Sequence, residues 1–342
     1  EILEETVRDD AEAFPSALPT RREVDHRAWV TIQVGCDNAC AFCIVPSVRG
    51  PEISRPFGDL VAEAAELSTD GVSEVTLLGQ NVNSYGRDLT THLRRVAGGP
   101  TDAHQAGLEW ASDPRRRLRP LFADLLYAVG AVDGLHRVRF TSPHPKDLRP
   151  ETIAAMAEVP SVCEHLHLPL QSGSNRVLAD MHRGYTADRY LERLDAARAG
   201  IKDLAVTTDL IVGFPGETER DFADTLEVVA EAGFDSAYSF IFSPRPGTEA
   251  AERHREFVEH SVSVERFERL QQVLKRSAEL THRARVGKIE EVLVEGPAKR
   301  GEHLVTARTR QNKLVHLQAR HDLRAGAYAL ARITDAATHY LH

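Results

Sequence analysis

Short apolar runs alternate with amphipathic stretches along the middle of the chain. The stretches between the runs have apolar residues at helical spacing, as in DLVAEAAELSTDG (59–71) and ERDFADTLEVVAEAG (219–233). An alternation of strand and helix that repeats about six times predicts parallel βα units that close into a barrel or part of one. The six strand-like runs are WVTIQV (29–34), EVTLL (74–78), RVRFTS (137–142), EHLHLPL (164–170), LAVTTDLIVGF (204–214) and DSAYSFIFS (235–243).

Beyond this region the pattern changes. A long amphipathic stretch (262–287) is followed by four short strand-like runs, IEEVLVEG, HLVTART, KLVHLQA and GAYALARIT, which predict a small all-β barrel. We therefore expect an α/β fold, a partial (β/α)6 barrel similar to a TIM barrel over residues 26–282, and a β domain over 283–342. Residues 1–25 are polar and are interpreted as a linker. Residues 86–117 lack sustained periodicity and predict a long excursion between the second strand and its helix.

Composition limits the class of protein. The 342 residues are 42% hydrophobic and 27% charged, and no apolar run approaches the roughly 20 residues of a membrane span. The chain opens with the acidic EILEETVRDD and without methionine, so we expect no secretory signal and a fragment or processed form. Four cysteines, three of them clustered, do not suggest a secreted disulfide framework, and we expect a cytoplasmic protein.

The charge is distributed unevenly. The whole chain has a net charge of -9, but residues 283–342 contain 11 Lys and Arg against 6 Asp and Glu, a net +5, which leaves -14 for the rest. A basic module on an acidic body favours a polyanionic partner for the C-terminal part. A merely solvated basic surface explains the same charge equally well.

Three cysteines follow the first predicted strand at the spacing Cys36-x3-Cys40-x2-Cys43. A loop at this point of a βα barrel lies at the mouth where such folds place their chemistry. Structural zinc requires a fourth protein ligand, and Cys163 precedes the fourth strand, so we expect it at the opposite end of the barrel. A [4Fe-4S] cluster bound by three cysteines leaves one iron with an open position. Three structural cysteines or a zinc loop are the alternatives.

GCDNACAFC resembles the cluster loop of the radical S-adenosylmethionine superfamily, whose fold is a full or partial βα barrel. The resemblance implies that Cys36, Cys40 and Cys43 bind one [4Fe-4S] cluster. It also implies that the open iron binds the amino and carboxylate groups of S-adenosylmethionine (SAM), and that electron transfer then produces a 5′-deoxyadenosyl radical. The cofactor contacts implied by LLGQNVNSYG, HLPLQSGS, DLIVGFPGET and SFIFSPRPGT, together with the cluster loop, are Phe42, Gly79, Gln80, Asn81, Gln171, Ser172, Asp209, Gly213 and Ser243. GFPGET is equally suited to a strand-to-helix turn, with Thr218 as the helix cap.

Longer motifs narrow the resemblance. CIVPSVRGPEISRP, RFTSPHP, CEHLHLPLQSGSNRVLADMHRGYT and TDLIVGFPGETERDF are similar to the methylthiotransferases from about Ala28 to Thr248, and the C-terminal part resembles their RNA-binding TRAM module. SPRPGT and TRQNKLVH are most similar to the bacterial members that modify N6-isopentenyladenosine at tRNA position 37. The residues expected to contact RNA in the β domain are Arg308, Arg310 and Lys313. Near the mouth, Arg49, Arg183 and Arg245 are expected to contact RNA or the cofactor, and an ordinary surface salt bridge is the alternative for each of these three.

Members of this family also carry an N-terminal domain whose three cysteines hold a second [4Fe-4S] cluster. The start of this chain resembles the linker after that domain, so we expect the chain to bind one cluster and cleave SAM without completing sulfur insertion. The expected partners are a tRNA anticodon stem-loop and a reductant such as flavodoxin or ferredoxin, with no membrane and a monomeric protein. Alternative substrates are threonylcarbamoyladenosine in tRNA or a ribosomal protein, and a further alternative is a non-catalytic tRNA-binding fragment.

Overall fold

The computed structural model describes residues 24–96, 101–299, 301 and 303–342, so most of the predicted linker lies outside the described residues. The strands of the described part are β1 (Arg27–Thr31), β2 (Gln33–Val34), β3 (Ile53–Ser54), β4 (Glu74–Leu78), β5 (Arg137–Phe140), β6 (His165–His167), β7 (Ala205–Val212), β8 (Ser236–Ile241), β9 (Ile289–Pro297), β10 (Leu304–Thr309), β11 (Leu314–Gln318) and β12 (Tyr328–Arg332). Its α-helices are α1 (Val45–Arg49), α2 (Phe57–Thr69), α3 (Arg87–Arg95), α4 (Thr101–Ala106), α5 (Leu108–Ser112), α6 (Phe122–Gly130), α7 (Pro150–Glu158), α8 (Asn175–Asp180), α9 (Ala187–Gly200), α10 (Glu219–Ala232), α11 (Glu249–Glu252) and α12 (His260–Arg283).

Six parallel strands form an open barrel. β1, β4 and β5 pair in that order, β6, β7 and β8 pair in that order, and a parallel bridge between Val138 and Val162 joins the two sheets. Among these six barrel strands, each strand therefore lies beside the one that follows it in the chain, as expected for βα units with helical crossovers. β1 and β8 are the two edges. The predicted partial (β/α)6 barrel is confirmed.

Successive side chains of each barrel strand point to opposite faces of the barrel wall, the outer face under the helices and the inner, concave face. In β1, Ala28 and Val30 are buried in the main core, together with Leu60 of α2. The intervening Trp29 is 66% exposed and therefore lies on the concave face. Helix α10 begins as the sequence indicates, because Thr218 and Asp221 form a reciprocal capping box.

The insert between β4 and α6 occupies the predicted place but is not free of regular structure. It contains α3, α4 and α5, which have nine, six and five residues. Helices this short span at most two to three turns, which explains why no sustained period marks them. Trp110 anchors α5, since its side chain is fully buried and its indole Nε1 donates to the carbonyl of Arg117 at 2.9 Å.

The C-terminal part is an antiparallel sheet with the order β11-β10-β9-β12 and a core of its own that includes Val292, Val305 and Val315. All four predicted strands are present. The sheet lies against the amino ends of the barrel strands. Arg139 of β5 donates to the carbonyls of Thr309 and Arg310 at 2.9 Å each. In the described part of the chain, no helix is both long and apolar enough to cross a membrane.

Candidate functional site

The cysteine loop follows β1 and β2 and is closed by its own backbone. β2 pairs with β3 in an antiparallel ladder, and the amide of Cys36 donates to the carbonyl of Gly50 at 3.2 Å. Gly35, with φ of 79°, makes this closure possible, because a Cβ atom at that position would lie 1.9 Å from the carbonyl oxygen of Pro51. The two ends of the loop are therefore held together at the barrel mouth.

All three loop cysteines are half-buried free thiols. The amide of Ala41 donates to Met181 and its carbonyl accepts from Ala250, which fixes the middle of the loop against α8 and α11. Burial raises the pKa of the Cys36 thiol, and a bound metal would supply the positive charge that deprotonates it. Cys163 is fully buried at the opposite end of the barrel beside Arg139, as predicted.

An open cavity of about 280 Å³ adjoins the loop and is lined by Cys36, Asp37, Asn38, Ala39, Pro46, Gly50 and Pro51. Within the described ranges, no three His, Cys, Asp or Glu side chains converge in a geometry that holds a single metal ion. One zinc would need all its sulfurs about 2.3 Å away, whereas each cysteine of a [4Fe-4S] cluster binds its own iron. The three thiols do not converge on one point and they lie beside a cavity, so they fit a cluster better than a single metal ion.

Cationic side chains lie along one side of the cysteine loop. Arg183 is only 5% exposed, and its guanidinium donates to the Sγ of Cys40 at 3.3 Å and to the hydroxyl of Tyr185 at 3.1 Å. The ammonium of Lys146 donates to the side chain of Asn38 within the loop. Burial lowers the pKa of His144 to about 2, and Arg183, Lys146 and Arg193 contribute to the shift. The side chain of Arg183 is buried against the cysteine loop, and its contact with RNA or the cofactor stays a prediction.

Residues after β4 approach the same mouth. Gln80 is exposed and Gly79 is half-buried. Asn81 is buried, and its Nδ2 donates to Asp147 at 2.9 Å while its Oδ1 has no partner in the described part of the chain. A buried acceptor without a partner suits a group that is supplied by a ligand. Phe42 packs against the small apolar cluster that contains Phe214 and Met181.

The predicted cofactor contacts after β6 and β7 fall into two groups. Ser172 is fully buried with its hydroxyl 3.1 Å from that of Thr225, and Gly213 is tied to Glu217 through its amide, so these placements give the two residues structural roles. Gln171 has φ of 69°. Its amide donates to the carbonyl of Asp209 and its carbonyl accepts from the amide of Ile211, so its backbone extends the pairing with β7.

Two further predicted contacts are more accessible. The Asp209 carboxylate lies 3.3 Å from Nε2 of His167. Ser243 is exposed, as are Arg49 and Arg245, the two remaining arginines that we predicted near the mouth.

Aromatic side chains line the concave face at both edges of the open barrel. In β8, Ser239 bonds to Gln271 of α12 on the outside, so the alternating Tyr238 and Phe240 face inward. Tyr238 and Phe240 are 66% and 53% exposed, and the ring of Tyr238 lies 6.2 Å from that of His167. Trp29 lies on the same face of β1. We call Trp29, Tyr238 and Phe240 the aromatic wall; sequence reasoning missed it because strand alternation alone does not say which face is open.

Two of the three β-domain residues predicted to contact RNA, Lys313 and Arg310, link the β domain to the barrel, whereas Arg308 is paired within the β domain. Lys313 is 5% exposed and lies 2.5 Å from Asp235. Arg310 pairs with Glu164 at 2.8 Å, and Arg308 pairs with Glu295 at 2.8 Å. Carboxylates of the chain itself therefore already neutralise these three cations, and their contact with RNA stays a prediction.

Glu52, which the sequence analysis did not identify, lies beside the cysteine loop. Its amide donates to Asp37 at 3.0 Å and its carboxylate accepts from the hydroxyl of Ser84 at 2.5 Å. Burial raises the pKa of Glu52 to about 7. No local motif signals this carboxylate, since its burial arises from contacts across 32 positions of the chain.

Comparison with known proteins identifies the family. The Radical SAM superfamily model matches residues 30–229, which include the cysteine loop and five of the barrel strands. The chain belongs to the radical SAM superfamily. Membership implies a [4Fe-4S] cluster and SAM, which the three loop cysteines and the adjoining mouth fit.

The radical SAM chain is also similar to curated proteins over nearly its whole length. The tRNA-2-methylthio-N(6)-dimethylallyladenosine synthase of Corynebacterium jeikeium (strain K411) is 45% identical over 97% of this chain and 61% of its own length. The protein of the same name from Acidothermus cellulolyticus (strain ATCC 43068 / DSM 8971 / 11B) is 47% identical over 98% of this chain and 62% of its own length. The chain thus spans about three fifths of these relatives. Among solved structures, coproporphyrinogen III oxidase from Escherichia coli has a TM-score of 0.45 at 15% identity, covering 85% of this chain and 66% of that chain.

Proposed function

We propose that this chain is the radical and RNA-binding part of a tRNA methylthiotransferase that acts on N6-isopentenyladenosine at position 37. The observation that carries the proposal is 45–47% identity to synthases of that modification over 97–98% of the chain. Because the chain spans only about three fifths of those relatives, the proposal assigns to it one [4Fe-4S] cluster, at Cys36, Cys40 and Cys43. A second cluster and the insertion of sulfur are assigned to the part of the relatives that the chain does not cover.

The chemistry requires a radical because carbon 2 of adenine carries an unactivated C–H bond that no side-chain base can open. The bound cluster would supply the electron that cleaves SAM to a 5′-deoxyadenosyl radical. The chain's own residues hold the cofactor at the mouth. The proposed contacts are Phe42, Gly79, Gln80, Asn81, Gln171 through its backbone, Asp209 and Ser243. Gln80 and Ser243 are exposed, and Phe42, Gly79 and Asp209 are half-buried.

The aromatic wall suits the proposed base. A purine can stack on an indole or phenol ring, and a branched isopentenyl group gains from contact with exposed apolar rings. Trp29, Tyr238 and Phe240 offer such surfaces on the concave face of the same barrel whose mouth carries the cysteines. A base in an anticodon loop can be splayed out into a concave site of this kind.

Arg49 and Arg245 are the exposed cations that we propose for phosphate contacts near the mouth. The β domain, which we assign as a TRAM module, is held at the other end of the barrel by its buried ion pairs. We further propose that the target is the anticodon stem-loop, that a flavodoxin or ferredoxin supplies electrons, and that the protein is a cytoplasmic monomer.

Mass spectrometry of modified products tests the proposal. The chain is reconstituted anaerobically with iron and sulfide and given dithionite, SAM and one of three substrates: an isopentenylated stem-loop, a threonylcarbamoylated stem-loop or a ribosomal peptide. We expect 5′-deoxyadenosine to increase with the isopentenylated stem-loop alone. Formation of 5′-deoxyadenosine without a methylthiolated product would mean that sulfur insertion needs a component other than this chain. An increase with another substrate would reassign the substrate, and tight stem-loop binding without any SAM cleavage would support a non-catalytic RNA-binding protein.

A further inference from the structure

Arg183 is a buried cation that lacks a carboxylate partner in the part of the chain that the structure describes. Its hydrogen-bond partners are the hydroxyl of Tyr185 and the Sγ of Cys40. The other four buried arginines of the described residues are each paired with an acid: Arg137 with Glu291, Arg139 with Glu74, Arg266 with Glu217 and Arg285 with Glu290.

Leaving a buried charge without a counterion is costly, so such a group points to an anion that occupies the neighbouring space. On one side the guanidinium donates to the Sγ of Cys40 at 3.3 Å. On its other side it lies over the ring of Tyr185, 5.5 Å from the centroid. The hydroxyl of Tyr185 also lies within bonding distance of two backbone carbonyls, which holds the ring in place.

Lys146 adds a second cation to the same side of the loop through its bond to Asn38. Together the two residues provide positive charge next to the three thiols. The anion that this arrangement lacks is supplied by a cluster whose three thiolates and sulfides carry net negative charge.

We propose that Arg183 is a positioning residue whose charge neutralises the cluster bound at Cys36, Cys40 and Cys43 and raises its reduction potential. A one-electron reduction adds one negative charge to the cluster, and a nearby cation in a site of low polarity stabilises that form more than the oxidised one. The inference rests on the cluster assigned in the proposed function and not on the tRNA substrate.

A redox titration followed by electron paramagnetic resonance tests the proposal on the reconstituted chain, without SAM or RNA. Arg183→Gln removes the charge and Arg183→Lys keeps it. The matched control is Arg266→Gln, which removes a buried arginine that also lies over an aromatic ring, 5.7 Å from the centroid of Phe222, but contacts no thiol. We expect the midpoint potential to become more negative in Arg183→Gln, to return toward the wild-type value in Arg183→Lys, and to stay unchanged in the control.

An unchanged potential in Arg183→Gln at full cluster content would overturn the proposal, and so would an equal shift in Arg266→Gln. Weaker SAM binding at an unchanged potential would instead make Arg183 a cofactor contact and also refute it. If Arg183→Gln takes up no iron while Arg183→Lys and the control do, the requirement for charge is supported. A wild-type chain that takes up no cluster would refute the proposed function itself, whereas a cluster without action on tRNA would leave this inference standing.

Discussion

Replacing Lys313 by methionine should destabilise the protein strongly, although the residue lies in a part of the chain that its charge marks as a basic surface. The side chain of Lys313 is 4% exposed and that of Asp235 is 13% exposed, and 2.5 Å separates Nζ from Oδ1. Methionine keeps the length of the side chain but leaves the Asp235 carboxylate, among the described residues, with one remaining hydrogen bond, from the amide of Val206 at 2.8 Å.

Removing one partner of a buried ion pair typically costs about 3–5 kcal/mol. We expect about 3 kcal/mol here, because the second oxygen of Asp235 keeps its hydrogen bond. The assay is equilibrium urea unfolding followed by circular dichroism and by fluorescence of the two tryptophans, Trp29 and Trp110, both of which lie in the barrel part. Two probes are needed because two folded units need not unfold in one step.

A matched control is Lys288→Met. Lys288 lies 3.6 Å from Asp203 with a side chain that is 50% exposed, and exposed pairs contribute about 0–1 kcal/mol. The double variant Lys313→Met with Asp235→Asn should recover at least about 1 kcal/mol, because no unpaired buried charge remains. A loss in Lys313→Met no larger than in Lys288→Met, or a double variant no more stable than Lys313→Met, would show that the buried pair does not hold the β domain to the barrel.

Two further predictions concern the barrel mouth and its concave face. The pKa of Glu52 is raised to about 7, so between about pH 4.5 and 7 the folded chain holds a proton that the unfolded chain has lost, and stability decreases as pH rises through this range. Thermal unfolding of the metal-free protein should therefore show that Glu52→Gln is more stable than wild type by up to about 3 kcal/mol above pH 7, at about 1.4 kcal/mol per pKa unit. A difference in stability that stays constant across pH would contradict the raised pKa. In a binding titration, Phe240→Ala should reduce the ratio of affinities for an isopentenylated and an unmodified stem-loop roughly tenfold, as expected for a lost aromatic contact. The control is Leu330→Ala, at a side chain that is 77% exposed on β12, which should leave this affinity ratio unchanged. An unchanged ratio in Phe240→Ala would remove the aromatic wall from substrate recognition.

The sequence was sufficient for the barrel because its signals are local. Strand runs, helical spacing and the Thr218–Asp221 cap each depend on residues close together in the chain. The cysteine loop was recognisable for the same reason, since its three thiols lie within eight positions. Helices α3 to α5 escaped detection because none of them is long enough to show a period.

The roles of charged residues could not be predicted in the same way. Lys313 finds its acid 78 positions away and Arg310 finds its acid 146 positions away, so a count of basic residues cannot show that both are already neutralised. Arg183 was correctly placed near the mouth by its motif, but its burial depends on Cys40, 143 positions away. Pairing across the fold, and not local composition, decides which cations remain available to an RNA.

The central claim is that Cys36, Cys40 and Cys43 hold a cluster that cleaves SAM, and formation of 5′-deoxyadenosine tests it most directly. The anaerobically reconstituted chain, given SAM and an isopentenylated stem-loop and reduced with dithionite, should form 5′-deoxyadenosine, and Cys36→Ala should abolish it. Cys163→Ala, which changes the buried cysteine at the other end of the barrel, should retain it. Formation that survives Cys36→Ala, or no formation by a wild-type chain with a full complement of iron and sulfide, would contradict the account.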